Sequence, residues 1–269
     1  MTDLPDQEEI LVEYGQYVAA CVELQEFFRR HRADMAAPSN EAGYIVLWTL
    51  PRSYRTFRVV VALCKAGYGQ QAAMLNRTLF EDMLAAHWAM RHQDIAAKRM
   101  TEHDHYTATL RKEQYQKHGI PHREPTSLPT FTDEERARLD VGYRSGSRPW
   151  TGKTIPQMLR AVAPMWNEAD RRLLMQMHDI AHAANNTLLH HSATSLSQGV
   201  QATEEGVMFN VGPSRDFVAA ALGLAFWTFA NTISLGLEAD SLAELNDLAT
   251  KHRDVYSSER VLRPDEEGL

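Results

Sequence analysis

Apolar residues recur at three- and four-residue spacing through almost all of this 269-residue chain, a period that favours helices packed on helices. Leu11, Tyr14, Val18, Val22 and Leu24 mark a first helix from Glu8 to Arg32. A second is expected from Glu41 to Ala66, kinked or restarted at Pro51, because proline lacks the N–H that an interior turn uses. Gly67-Tyr68-Gly69 is a connection short enough to force an antiparallel neighbour. That neighbour, Gln70 to Arg91, carries Ala72, Leu75, Leu79, Met83 and Ala86 on one face. Further helices are expected from Asp94 to about His118, from Asn167 to about Ser195, over Arg215–Glu238, and from Ser241 to about Tyr256.

Two stretches depart from the helical period. From about 119 to 153, prolines and glycines break the pattern, with a short helix expected only at Asp133–Asp140. This region is locally basic, since residues 111–160 hold ten Lys/Arg against six Asp/Glu. Residues 199–212 alternate as strands do, with a turn around Glu204-Glu205-Gly206. The expected fold class is therefore all-α. It is a multi-helix bundle with one small β-hairpin (about 199–212) and a long irregular excursion (about 119–153). Residues 1–258 are expected to form a single helical domain and 259–269 a frayed C-terminal tail.

Net charge of −7 argues against a protein that coats nucleic acid or anionic membrane by bulk charge, though a local basic site stays open. No apolar run reaches the roughly 18–20 residues that span a bilayer. The acidic N-terminus lacks the basic-then-apolar layout of a leader, so a cytoplasmic location away from membranes is expected. Cys21 and Cys64 read as small core hydrophobes in a reducing compartment.

Three helices carry polar residues where chemistry could reside. Arg77 and Glu81 lie four apart, on one face of the third helix beside Leu75, Leu79 and Phe80. They read either as a rim ion pair or as a partly desolvated pair that orients a substrate. Glu102 and His105 form an E-x-x-H, the spacing by which di-iron bundles place two ligands on one helix. Glu81 and the D-x-x-H of Asp179 and His182 approximate the remainder of such a set. On the helix after Asn167, His178, His182, Asn186 and His190 follow at i, i+4 spacing, thickened by Asn185, His191 and Ser192. That polar stripe faces solvent or, if it faces the bundle, needs hydrogen-bonding partners. Trp150-Thr-Gly-Lys-Thr154 lacks the upstream glycine of a phosphate loop, and no nucleophile elbow is present.

Several segments together resemble a bacterial and archaeal family of unknown function. Arg77-Thr-Leu79-Phe-Glu81 is similar to its R-[ST]-L-x-E helix. The Asp94–Leu110 helix, the Trp150-Thr-Gly-Lys-Thr turn, the Asn186-x-x-x-His190-x-Ser192 segment and Gly212-Pro213 follow in the family's order. The family often has serine where this chain has Asn186. Such families are similar in outline to the HEPN class of helical nucleases and nucleotide-binding modules of prokaryotic defence and toxin systems. That class pairs arginine with histidine as R-x4–6-H. Asn185-x4-His190 has the span with asparagine in place of arginine, so Arg77 would supply the charge; Arg99-x5-His105 fits by a separate route. The resemblance implies a metal-independent RNase in which His190 or His105 is general acid/base and the arginine stabilises the phosphorane.

The candidate catalytic residues are thus Arg77, Glu81, His105, Asn186 and His190, with no cofactor expected and the metal question open. RNA or a nucleotide is the expected ligand, with a protein partner or a homo-oligomer also possible on this reading. A non-enzymatic helical interaction module and a carboxylate/His metalloenzyme using Glu81, Glu102, His105 and His182 are the alternatives.

Overall fold

The computed structural model describes residues 7–33, 35, 38–121, 130–143, 149–189, 200–203, 206–209, 213–215, 217–253 and 255, with backbone alone at 169, 180, 182–189, 200–203 and 206–209. Among these residues nine α-helices follow one another: α1 (Gln7–His31), α2 (Glu41–Lys65), α3 (Gly69–Arg91), α4 (Gln93–Lys117), α5 (Asp133–Tyr143), α6 (Ile155–Val162), α7 (Glu168–Leu189), α8 (Val218–Ser234) and α9 (Ala239–Lys251). None is long and apolar enough to cross a membrane. The expected tail at 259–269 lies outside the described residues.

Helix α3 is the element around which the others assemble. Ala72, Ala73, Ala86 and Ala89 are buried along it, and these small side chains let neighbouring backbones approach closely. On one side it shares a core with α1, α2 and α8, centred on Phe28, Phe57 and Phe229; the rings of Phe57 and Phe229 stack at 4.7 Å. On the other side, Phe80, Met83, Leu84 and Trp88 pack with Met158, Leu159 and Val162 of α6 and with Leu174, Met177 and Ala181 of α7. Cys21 and Cys64 are buried in the first core without a disulfide between them, and burial pushes the Cys64 thiol up.

Two polar side chains fix how α3 lies on α8. Asn76, fully buried, donates from Nδ2 to the Ala221 carbonyl at 2.8 Å. Three turns later, His87 Nε2 lies 3.2 Å from the Asn231 carbonyl. Both partners advance in the same direction, so the two helices are parallel. Parallel helices cannot be joined by a short turn, and α4 to α7 lie between them in sequence.

The α2–α3 turn depends on Gly67, which holds φ +79. A Cβ there would sit 2.5 Å from Ile10 Cδ1 and 2.5 Å from Pro213 Cβ, while its carbonyl accepts from Ser214 N at 2.9 Å. α2 itself runs through Pro51 as one helix, so no restart occurs there.

The expected fold class is corrected in two places. The architecture is an all-α multi-helix bundle in which the hairpin at about 199–212 is no layer. Its described parts, Val200–Thr203 and Gly206–Phe209, pair only with each other, and two such strands make no sheet on which helices could pack. The excursion at about 119–153 is corrected in extent and docking: the short helix expected at Asp133–Asp140 is present as α5, runs on to Tyr143 and docks against α4. Tyr106, Leu139 and Tyr143 form a small core of their own. Around it, Arg136 grips Glu113 with two hydrogen bonds of 2.8 and 2.9 Å, Arg138 pairs with Glu102, and the Tyr106 hydroxyl donates to Asp140. The sequence period hides this docking because α4 buries only Ala96 and Tyr106 and holds α5 largely by charge.

Gly67→Ala combines a left-handed backbone with two overlaps, so we expect a loss of about 2–5 kcal/mol in urea unfolding; an unchanged midpoint would contradict this account of the turn. Glu102→Ala should loosen α5 without unfolding the bundle. Amide exchange over 133–143 should quicken on the order of tenfold while the α3 amides keep their protection.

Candidate functional site

The exposed side of α3 is narrow, running through Met74, Arg77, Thr78, Glu81 and Ala85. α2 flanks it on one side and α7 on the other. Arg77 Nε donates to Glu81 Oε1 at 2.6 Å, and the two side chains are 46% and 34% exposed. That is the geometry of a rim pair, worth about 0.3–0.5 kcal/mol on its own. Of the expected site residues, these two are the ones the structure brings together.

The neighbouring position carries the stronger perturbation. Asp82 is 12% exposed, and its Oδ2 lies 3.1 Å from Arg52 Nε of α2. The angle falls outside that of a hydrogen bond, so the contact is an ion pair only. Burial raises the Asp82 carboxyl to about 6; Arg52 works against that rise and the nearby Glu81 charge adds to it. Arg52 and Asp82 were not among the expected residues. The available signal was position: Asp82 follows Leu79 by three and precedes Ala86 by four, which places a carboxylate at the edge of the apolar stripe.

α7 approaches the same face of α3. The Phe80 and His178 rings lie 6.3 Å apart, while His87, further along α3, meets Trp166 just before α7 at 4.8 Å, so the two helices are antiparallel. His178 is largely covered, and its Nδ1 lies 3.0 Å from the exposed Asp179 carboxylate. Asn186 and His182 are on α7 by backbone only. At 1.5 Å per residue Asn186 lies about 12 Å beyond His178, level with the first turn of α3 and not with Arg77. His190 lies outside the described residues.

The α4 candidates are used structurally. Burial works to raise the Glu102 carboxyl, but the Arg138 hydrogen bond and charge, with the Tyr143 hydroxyl donating at 3.2 Å, outweigh it and hold the group low. Burial, then the Glu102 charge, push Tyr143 up to about 12. His105 is half-buried on α4, and among the described residues no hydrogen bond joins its ring to Arg77 or Glu81. Arg99 donates from Nη1 to the Thr151 carbonyl at 2.5 Å and lies 5.5 Å above the Trp88 ring, which Trp150 meets edge-on at 5.6 Å. The Trp150-Thr-Gly-Lys-Thr turn is therefore a clasp between α3, α4 and α6, with Thr154 N–H donating to Gln157 at the start of α6. Among the described residues no group of three or more His, Cys, Asp or Glu side chains is placed to hold a metal ion.

Asp82 and His87 give the fold opposed pH responses. The Asp82 carboxyl is raised from 3.8 to about 6, so the folded state binds the extra proton and stability falls as pH rises from about 4 to 6. His87 is lowered from 6.5 to about 4, chiefly by burial, with the Asn231 hydrogen bond opposing, so stability falls as pH drops from 6.5 towards 4. Melting temperatures against pH should separate them. Relative to Asp82→Asn, the parent protein loses stability between pH 4 and 6; relative to His87→Phe, it gains over the same range. Parallel curves for parent and variants would show that neither group titrates as its burial requires.

No curated protein and no solved structure matches the chain. The family of unknown function DUF5677 matches residues 43–207, more than half of the sequence and the part that holds Arg52, Arg77, Glu81, Asp82, the α4 candidates and the Trp150–Thr154 clasp. The chain belongs to the DUF5677 family.

Proposed function

We propose that the chain is an HEPN-like ribonuclease or nucleotide-handling module of a prokaryotic defence or toxin system, working by metal-independent acid/base chemistry on the open face of α3. The observation that carries this reading is Asp82, a carboxyl raised to about 6 by burial, paired with Arg52 and next to Glu81 at the edge of that face. A carboxyl raised to about 6 beside the Arg52 guanidinium has the chemistry needed to exchange a proton with a phosphate or hydroxyl. Arg77 would stabilise the charge developing on phosphorus, with His190 or His105 as general acid/base; Asn186 is left out of this site because it stands level with the first turn of α3 and not with Arg77. The metalloenzyme alternative is less favoured, because Glu102 is already engaged by Arg138 and Tyr143.

The interaction-module reading has one observation of its own. Asn76 and His87 are buried polar residues whose bonds to α8 account for them as register pins without any reaction.

Purified protein incubated with RNA in the presence of a chelator separates the readings. The ribonuclease reading expects cleavage that falls on the order of a hundredfold or more in Arg77→Ala and in His190→Ala, at unchanged melting temperature. Intact RNA after prolonged incubation with the parent protein, together with normal growth of cells expressing it at high level, would overturn it.

A further inference from the structure

From Ala42 to Phe80 the chain holds five Lys/Arg and no Asp/Glu, although Asp and Glu number 35 in 269 residues. The fold sorts most of these cations onto one surface. Along α2, Tyr44, Trp48, Arg52, Arg55, Arg58 and Lys65 are all exposed, and at 100° per residue they share one side of the helix. The stripe runs about 32 Å from Tyr44 to Lys65 at 1.5 Å per residue. Trp48 is 63% exposed and Tyr44 48%, with their ring centroids 6.3 Å apart. Two large aromatics left in water at one end of a run of guanidinium groups are unusual for a solvated helix face.

The cations are also held in place. Arg52 is tied to Asp82, Arg55 donates from Nε to the Pro51 carbonyl at 3.3 Å, and Arg58 lies 5.8 Å over the Tyr54 ring. Among the described residues no carboxylate pairs with Arg55, Arg58 or Lys65. Their charge therefore faces outward in a chain whose net charge is −7.

We infer that the outer face of α2 is a track for single-stranded nucleic acid, with bases stacking on Trp48 and Tyr44 and phosphates running along Arg55, Arg58 and Lys65. It rests on the RNA reading of the α3 face and specifies the substrate class as an unpaired strand. Aromatic platforms need unstacked bases, and a linear row of cations follows a flexible backbone. Trp, Tyr and Arg are also common at protein interfaces, but a row of outward cations about 32 Å long with no carboxylate paired to Arg55, Arg58 or Lys65 among the described residues suits a polyanion better. A lipid surface fits less well because the apolar side of α2 is already buried in the core.

The test is fluorescence anisotropy of a labelled oligouridine with the full chain, across a salt series. The expected result is salt-dependent binding that weakens on the order of tenfold in Trp48→Ala. The double variant Arg55→Ala/Arg58→Ala should lower the slope of log affinity against log salt by about 1.4. Binding without cleavage would remove the ribonuclease proposal and leave the track standing. Cleavage and binding that ignore the α2 variants would overturn the track alone. So would absence of oligouridine binding, and so would self-association of the chain that Trp48→Ala abolishes.

Discussion

Everything in this fold is arranged around the parallel packing of α3 on α8, held at two points three turns apart by Asn76 and His87. A buried amide and a buried imidazole are costly unless they reach a partner, so sliding α8 along α3 by a residue would strand both. The pins therefore turn a generic apolar contact into a single register. They also require a long connection, since the end of α3 and the start of α8 lie at opposite ends of a parallel pair. The segment between them is where the clasp, α5 and α7 are found.

That arrangement decides which charges matter. With α2, α8, α7, α6 and α4 covering most of α3, its exposed side narrows to the strip through Arg77 and Glu81. At the edge of the strip, Asp82 is close enough to the core to lose its hydration and close enough to α2 to meet Arg52. Burial dominates and the carboxyl is raised, while the arginines along the outer side of α2 stay exposed. The two surfaces adjoin through the Arg52–Asp82 pair, so a strand on α2 would lie beside the polar strip on α3.

Motifs that suggested chemistry turned out in several cases to hold the structure together. The E-x-x-H at Glu102 and His105 has the spacing of a metal helix, but Glu102 serves to anchor α5 through Arg138 and Tyr143. Arg99, six residues before His105, is drawn to the Thr151 carbonyl and the Trp88 ring. Spacing along a helix places side chains on a common face; it does not say which neighbour will reach them first. Much of the family resemblance is accounted for in this way, because the Trp150–Thr154 turn and the α4 helix meet at Trp88.

The helices themselves were legible, since a 3.6-residue apolar period has few other solutions. α3 and the Gly67 turn fall where pattern and glycine placed them, and Arg77 and Glu81 pair because four residues make one turn. Three things were settled only by tertiary contact. The strand pattern after 199 gives two four-residue strands that pair with each other and, among the described residues, with no third, so they add no layer to the bundle, and local alternation does not say whether further strands will join. The short helix expected at 133–140 is α5, but its docking was not legible, because charged side chains on α4 hold it and such contacts leave no apolar period. Asp82 was passed over because its protonation depends on how close α2 comes to α3, and the distance between two helices is not written in the sequence of either one.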